Sequence, residues 1–122
     1  MEKKIIQTGA IICALAVAIG AFGAHGLKPT LEQFGRTETF ETAVKYHFYH
    51  GLGLLLLGAL ANKIEGSWLK WSAVFMVLGI LIFSGSLYIL SVTGITWLGA
   101  ITPIGGVGFI AAWVALAFGI KK

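Results

Sequence analysis

Apolar residues form four long blocks that are separated by short polar connections, at residues 5–26, 43–61, 68–90 and 97–120. A helix rises about 1.5 Å per residue and a bilayer core is about 30 Å thick, so one crossing needs roughly 20 mostly apolar residues. The second block reaches this length comfortably only with an amphipathic lead-in from about Thr37. The pattern predicts an all-α integral membrane bundle of four transmembrane helices, in which residues 1–122 form a single domain.

The connection between the first two blocks is patterned like a short helix. Thr30 and Gln33 have the spacing of a capping box, Pro29 precedes them, and Gly35 is placed to end the helix about one turn later. We therefore expect a short amphipathic helix on the membrane surface between helices one and two. A connector on the membrane surface and a lid over a site are both open as its role.

A further helical stretch is predicted directly after Gly35. Phe40, Val44 and Phe48 are spaced four apart and would form one apolar ridge, so the stretch should begin near Thr37 or Thr39 and bend into helix two.

Small residues recur at helical spacing and predict close contacts between helices, because small side chains let helix backbones approach each other. The stripes are Ala16, Gly20 and Ala24 in helix one and Gly108, Ala111, Ala115 and Gly119 in helix four. The same spacing places His47 and His50 on one face of helix two with Gly51, Leu54, Gly58 and Ala61. Pro103 and the Gly105-Gly106 pair predict a kink in helix four.

Composition supports the membrane assignment. The chain is 57% hydrophobic and 11% charged, with a mean hydropathy of +0.89, whereas soluble proteins are about 25% charged. A single cysteine, Cys13, excludes a disulfide framework. Four crossings would use most of the chain, so any chemistry must lie inside the bundle or at its rim.

The distribution of positive charge predicts the orientation. With an even number of crossings, the two termini share one side of the membrane with the connection between helices two and three. That side carries Lys3, Lys4, Lys63, Lys70, Lys121 and Lys122, and the other carries Lys28, Arg36 and Lys45. The positive-inside rule therefore predicts a multi-pass protein of the cell (inner or plasma) membrane with both termini in the cytoplasm. Because topology accounts for the net charge of +4, no nucleic-acid partner is predicted.

The N-terminal segment also has features of a cleavable signal peptide, since Lys3 and Lys4 precede an apolar run. That run of about 18 residues is longer than the usual apolar region of a signal peptide, so we expect helix one to be retained.

Polar side chains within the apolar blocks gather in the outer half of the predicted bundle. These candidate ligand-binding residues are His25, His47, His50, Ser84, Ser86, Tyr88 and Thr102. Unpaired polar groups in hydrocarbon cost several kcal/mol, so these side chains should bond to one another, to the backbone or to water. The cluster predicts either a binding site or a self-satisfied structural network.

A metal site is the most specific form of this hypothesis. His47 and His50 can place two imidazoles on one helix face, and His25 is a candidate third ligand. No metal motif, phosphate-binding loop, dinucleotide fingerprint or nucleophile elbow accompanies them. The sequence therefore assigns no cofactor and no catalytic residue.

The function that these patterns favour is that of a small, non-enzymatic membrane protein. Its polar pocket in the outer leaflet half would bind a small or lipid-like ligand or a partner helix. The alternative is a transporter or channel component for a proton, ion or small solute, with His25, His47 and His50 as the relay. The predicted partners are the lipid bilayer, this ligand, and either a second copy of the chain or another membrane protein.

Four ordered motifs carry a resemblance to a known family. They are GAFGAHGL at 20–27, TAVKYH at 42–47 followed by His50, FSGSLY at 83–88 and TPIGG at 102–106. The chain resembles the domain-of-unknown-function 423 family of small bacterial inner-membrane proteins, which has a eukaryotic relative, transmembrane protein 256. The resemblance implies a four-helix membrane fold and brings no reaction, substrate or cofactor.

Overall fold

The computed structural model describes all 122 residues and consists of helices joined by short connections. The helices are α1 (Glu2–Ala24), α2 (Lys28–Phe34), α3 (Thr37–Ala59), α4 (Gly66–Gly79), α5 (Gly85–Thr93) and α6 (Thr102–Gly119). A π-helical segment, Ile80–Ser84, joins α4 to α5 without a break, and short 3-10 turns lie at Ala61–Lys63 and Thr96–Ala100. The all-helical fold expected from the apolar blocks is confirmed.

Three segments are long and apolar enough to cross a membrane: Glu2–Ala24, Gly66–Thr93 and Thr96–Gly119. Much of their apolar surface faces outward. Along α6, for example, Ile104, Val107, Ile110, Val114 and Phe118 are all exposed. This surface suits contact with lipid. Lipid tails are as apolar as these side chains, so no hydrophobic effect drives the side chains into the protein interior. Helix α3 is less apolar because it carries Glu38, Glu41 and Lys45 together with two histidines.

The helices pack as two antiparallel pairs. In the α1 and α3 pair, a methyl group on Gly9 would lie 2.9 Å from Leu54 Cβ, and one on Gly51 would lie 2.7 Å from the sulfur of Cys13. In the second pair, α6 runs back along α4 and the π segment. Helix α3 also contacts α4 and α5 and so joins the two pairs.

The small residues at these contacts differ in part from the expected stripes. In α1 the buried members are Gly9, Ala16 and Gly23, spaced by seven, whereas Gly20 is half-buried and Ala24 is exposed. Seven residues make two turns of a helix, so this spacing keeps one face against α3 over the whole length.

Helix α6 follows the same rule. Gly105, Ala112 and Gly119 are buried at intervals of seven, and Ala115 is buried as predicted. The expected members Gly108 and Ala111 are half-buried, but Gly108 still faces α4 closely, since a methyl group there would lie 3.6 Å from Gly79 Cα.

The bundle has two distinct ends. At one end, the backbone N–H of Lys121 donates to the carbonyl of Lys63 at 2.9 Å, and the N–H of Glu65 donates to the carbonyl of Gly119 at 2.8 Å. These bonds attach the C-terminal residues to the α3–α4 connection, and α1 begins at the same end, which we call the terminal end. Helix α2 lies at the opposite end, called the α2 end, where it packs on α3 and α5.

One local prediction about a helix start is wrong. Helix α2 begins at Lys28 without a side-chain cap, so Thr30 lies inside the first turn and the capping box is not formed. Helix α6 begins at Thr102 with Pro103 in its first turn, where a missing N–H breaks no helical bond, and it directly follows the 3-10 turn Thr96–Ala100. The kink at Pro103 stays a prediction. The predicted stop at Gly35, with φ of 64°, and the start at Thr37 are confirmed.

Candidate functional site

The first polar contact between helices joins α3 to α5. His47 Nδ1 and the Tyr88 hydroxyl are 2.7 Å apart, and the ring of Phe40 packs against Tyr88 with centroids 5.3 Å apart. His47 is buried, so this face of α3 points into the bundle. The imidazole and the phenol satisfy each other in a position that lipid cannot reach.

Serine hydroxyls form the second set of contacts, near the π segment. Ser84 Oγ donates to the carbonyl of Ala43 at 2.8 Å and so ties this segment to α3. Ser86 Oγ and Thr102 Oγ1 are 2.6 Å apart and link α5 to the first residue of α6. The π segment, which no sequence feature indicated, thus lies where three helices are held together by polar bonds.

His50 forms the third contact, between α3 and α6. Its Nδ1 lies 2.8 Å from the carbonyl of Tyr46, and its Nε2 accepts the indole N–H of Trp113 at 3.0 Å. Because a carbonyl only accepts and an indole N–H only donates, the ring must be neutral with its proton on Nδ1. The imidazole also stacks on Phe109, with centroids 3.6 Å apart. Both ring nitrogens of His50 are therefore engaged within the protein.

His25 does not join the other two histidines. It is exposed at the C-terminal end of α1 and makes no side-chain hydrogen bond with them. No group of three histidine, cysteine, aspartate or glutamate side chains is close enough to hold a metal ion. His25, the candidate third metal ligand, is thus separated from His47 and His50 in the structure.

Every buried side-chain nitrogen and oxygen in the protein has a hydrogen-bond partner. Six of the seven candidate residues, all except His25, take part in the three sets of contacts described above. These contacts resemble a self-satisfied structural network, which is one of the two interpretations of the polar cluster in the sequence. A ligand-binding role for the seven residues stays a prediction.

The sequence interpretation missed two residues of this network, Trp113 and Phe109. Both lie within an apolar block, where the sequence alone indicates only lipid-facing or packing residues. The signal was present in Trp113, because an indole N–H within a membrane helix needs an acceptor, and His50 is a buried acceptor on a neighbouring helix.

A cavity of about 350 Å³ lies beside this network, at the α2 end between α1, α2 and α3. We call it the α2 cavity. Its inner wall is made by Gly20, Gly23, Leu31, Phe40 and Val44. Its rim carries two positive and two negative side chains, Lys28, Glu32, Glu41 and Lys45. None of the seven candidate residues lines it, although the polar network supports the α3 segment that does.

Comparison with known proteins identifies relatives along nearly the whole chain. The model of a family described as "Protein of unknown function (DUF423)" matches residues 19–106. The UPF0382 membrane protein YwdK of Bacillus subtilis (strain 168) is 47% identical over 121 residues, which cover 98% of each chain. The UPF0382 membrane protein SH2409 of Staphylococcus haemolyticus is also 47% identical, over 98% of this chain and 97% of that one.

A more distant relative is the UPF0382 inner membrane protein YgdD of Escherichia coli (strain K12), which is 38% identical over 97% of this chain and 89% of its own length. No solved structure matches. The helices that are long and apolar enough to span a bilayer agree with the membrane location in the names of these relatives. The chain belongs to the DUF423 (UPF0382) family of membrane proteins of unknown function.

Proposed function

We propose that the chain crosses the membrane four times, with α3 as the additional crossing and α2 on the outer surface. Helix α3 runs beside α1 along its length, from Phe40 against Gly23 to Gly58 against Ile6. A helix in such continuous contact with a membrane-spanning helix must pass through the same thickness. The histidines that lower its hydropathy face inward and are each only 5% exposed, so lipid does not meet them.

The proposed spans are the four sequence blocks, 5–26, 43–61, 68–90 and 97–120, within one domain, and both termini face the cytoplasm. The excess of lysine at the terminal end supports this orientation.

A topology experiment tests the count and the orientation together. Cysteines introduced singly at Gln33 and Asn62, in a Cys13→Ala background, should react differently with a membrane-impermeant maleimide added to intact cells. We expect labelling at position 33 and none at 62 until the membrane is permeabilised. Labelling of both positions in intact cells, or of position 62 alone, would contradict the proposed arrangement.

We propose further that the protein binds a lipid-like amphiphile in the α2 cavity and has no catalytic activity. The observation that carries this proposal is an apolar wall beneath a rim of four charged side chains. Ligand sites in proteins typically combine an apolar lining with a few polar groups that fix orientation. The cavity volume of about 350 Å³ lies within the common range for small-molecule sites, roughly 300–1,000 Å³.

The charges on the rim define the chemistry of the headgroup. Lys28 and Lys45 can meet a phosphate, while Glu32 and Glu41 can meet an ammonium group. The two signs balance, so a zwitterionic headgroup fits the rim better than one with a single charge. Phosphatidylethanolamine combines such a headgroup with acyl chains and serves as the probe.

Binding of phosphatidylethanolamine is best measured by native mass spectrometry of the protein in mild detergent. A Lys28→Gln, Lys45→Gln variant should bind this lipid about tenfold more weakly, because each charge-assisted contact contributes roughly 1.5–3 kcal/mol before solvent screening. A Val44→Trp variant should bind it weakly as well, since the indole would occupy the cavity.

The matched control is Lys63→Gln, Lys121→Gln, which removes the same charge from the terminal end, away from the α2 cavity. Thermal unfolding in the same detergent should give similar midpoints for the two lysine double variants, because the replaced lysines are exposed. Equal binding by the two double variants, together with unchanged binding by Val44→Trp, would refute the α2 cavity as the lipid site.

A further inference from the structure

A second cleft lies at the terminal end, between α1 and α4, and has a volume of about 430 Å³. It exists because α1 packs on α3 while α4 packs on α6, so α1 and α4 stand apart at this end. The floor is Leu54 of α3, and the walls include Ile5 of α1 and Val74 and Val77 of α4. The lining is almost wholly apolar, and the cleft is open to the surroundings of the bundle.

Two lysines provide the charge of this cleft, one on each wall. Lys4 lies in the first turns of α1 and Lys70 in the first turns of α4. Both side chains are exposed and line the same opening. The acidic residues nearest in sequence, Glu2 and Glu65, are at the same end of the bundle but do not line the cleft. The mouth is therefore positive, above walls that suit a hydrocarbon chain.

The position of the two lysines in the membrane indicates which ligand would occupy the cleft. Both lysines lie near the start of a membrane-crossing helix, at the level where the phosphates of one leaflet are found. A lysine at this level attracts anionic lipids electrostatically. An acyl chain that moves from the bilayer to the apolar wall exchanges one hydrocarbon contact for another, so this contact adds little binding free energy. The wall therefore sets the orientation of the bound lipid, and the two lysines set the preference for an anionic headgroup.

We propose that the cleft between α1 and α4 is a binding site for an anionic phospholipid of the adjacent leaflet. The phosphate lies between Lys4 and Lys70, and one acyl chain lies along Val74 and Val77 over Leu54. This site is separate from the α2 cavity and does not depend on the ligand proposed there. It differs also in chemistry, because its mouth carries positive charge alone.

Native mass spectrometry with phosphatidylglycerol and phosphatidylcholine as probes tests this site. The full-length protein in mild detergent should bind phosphatidylglycerol about tenfold or more in preference to phosphatidylcholine. A Lys4→Ala, Lys70→Ala variant should lose most of this preference. A Val74→Trp variant should bind phosphatidylglycerol less while keeping both lysines, since its indole would lie in the path of the acyl chain.

The matched control is Lys63→Ala, Lys122→Ala, which removes two exposed lysines from the same end without altering the cleft. This control should keep the preference, whereas an equal loss in both double variants would show general surface attraction and overturn the proposal. Unchanged binding by Val74→Trp would overturn it too. The Lys28→Gln, Lys45→Gln variant should bind phosphatidylglycerol normally, so the two proposals fail or stand independently.

Discussion

The Gly105→Ala variant is expected to be about 2 kcal/mol less stable than the Gly106→Ala variant, although the two glycines are neighbours in α6. A methyl group on Gly105 would lie 2.7 Å from Cβ and 2.8 Å from Cα of Phe83, and it would also meet the Phe83 backbone nitrogen. The obstruction is largely backbone, so no side-chain rotation relieves it. A methyl group on Gly106 would lie 3.9 Å from the Phe83 ring, an ordinary contact distance.

This comparison separates packing from helix propensity. Replacing glycine by alanine within a helix favours folding by roughly 0.5–1 kcal/mol at either position, because alanine loses less backbone entropy. The difference between the two variants therefore reports the cost of separating α6 from the π segment. Reversible unfolding in mixed detergent micelles gives both free energies. Equal stabilities would mean that α6 and the π segment are not in close contact.

The outline of the fold could be predicted from the sequence because lipid imposes a simple requirement. Long apolar blocks must form helices, since the backbone finds no other hydrogen-bond partners in hydrocarbon. The inward face of α3 was predictable for a related reason. Exposing two histidines to lipid would cost free energy, and they share a face of α3 with Gly51 and Gly58. All four of these residues are buried in the structure.

The contact surfaces of α1 and α6 were less predictable. Glycine and alanine are so frequent in these helices that several stripes satisfy a spacing of three or four. Only the partner helix decides which stripe is used, and both pairs use a spacing of seven. The π segment is a similar case. It contains no proline or glycine, and the close approach of Gly105 to Phe83 within it comes from another helix.

Six of the seven polar candidates are bonded in the structure, largely across helices, whereas a ligand-binding role for them stays a prediction. The sequence contains no information on which of them would be satisfied, because the partners include the carbonyls of Ala43 and Tyr46. A lid over a site was one of the two roles left open for α2, but the position and lining of the α2 cavity were not predicted, since they depend on how α2 is placed against α1 and α3.

The second large effect is expected at His50. We expect His50→Ala to lower the free energy of unfolding by roughly 2–3 kcal/mol, because it removes the stack on Phe109 and leaves the Trp113 N–H without an acceptor. Trp113→Phe should cost less, since it removes a side chain that is 39% exposed and leaves only one imidazole nitrogen unpaired. His25→Ala should change stability by less than about 0.5 kcal/mol, because His25 is exposed and makes no such bond.

A double-mutant cycle isolates the bond between the two side chains. The His50→Ala, Trp113→Phe variant should be less destabilised than the sum of the single variants. The expected difference is about 0.6 kcal/mol and at most about 1.7 kcal/mol, the average and the maximum for hydrogen bonds between membrane helices. If the effects of the two single substitutions were additive, His50 would stabilise the fold through its stacking on Phe109 alone. A large effect of His25→Ala would contradict the separation of the three histidines. The coupling expected here ties α3 to α6, which makes His50 a structural link between the two antiparallel pairs.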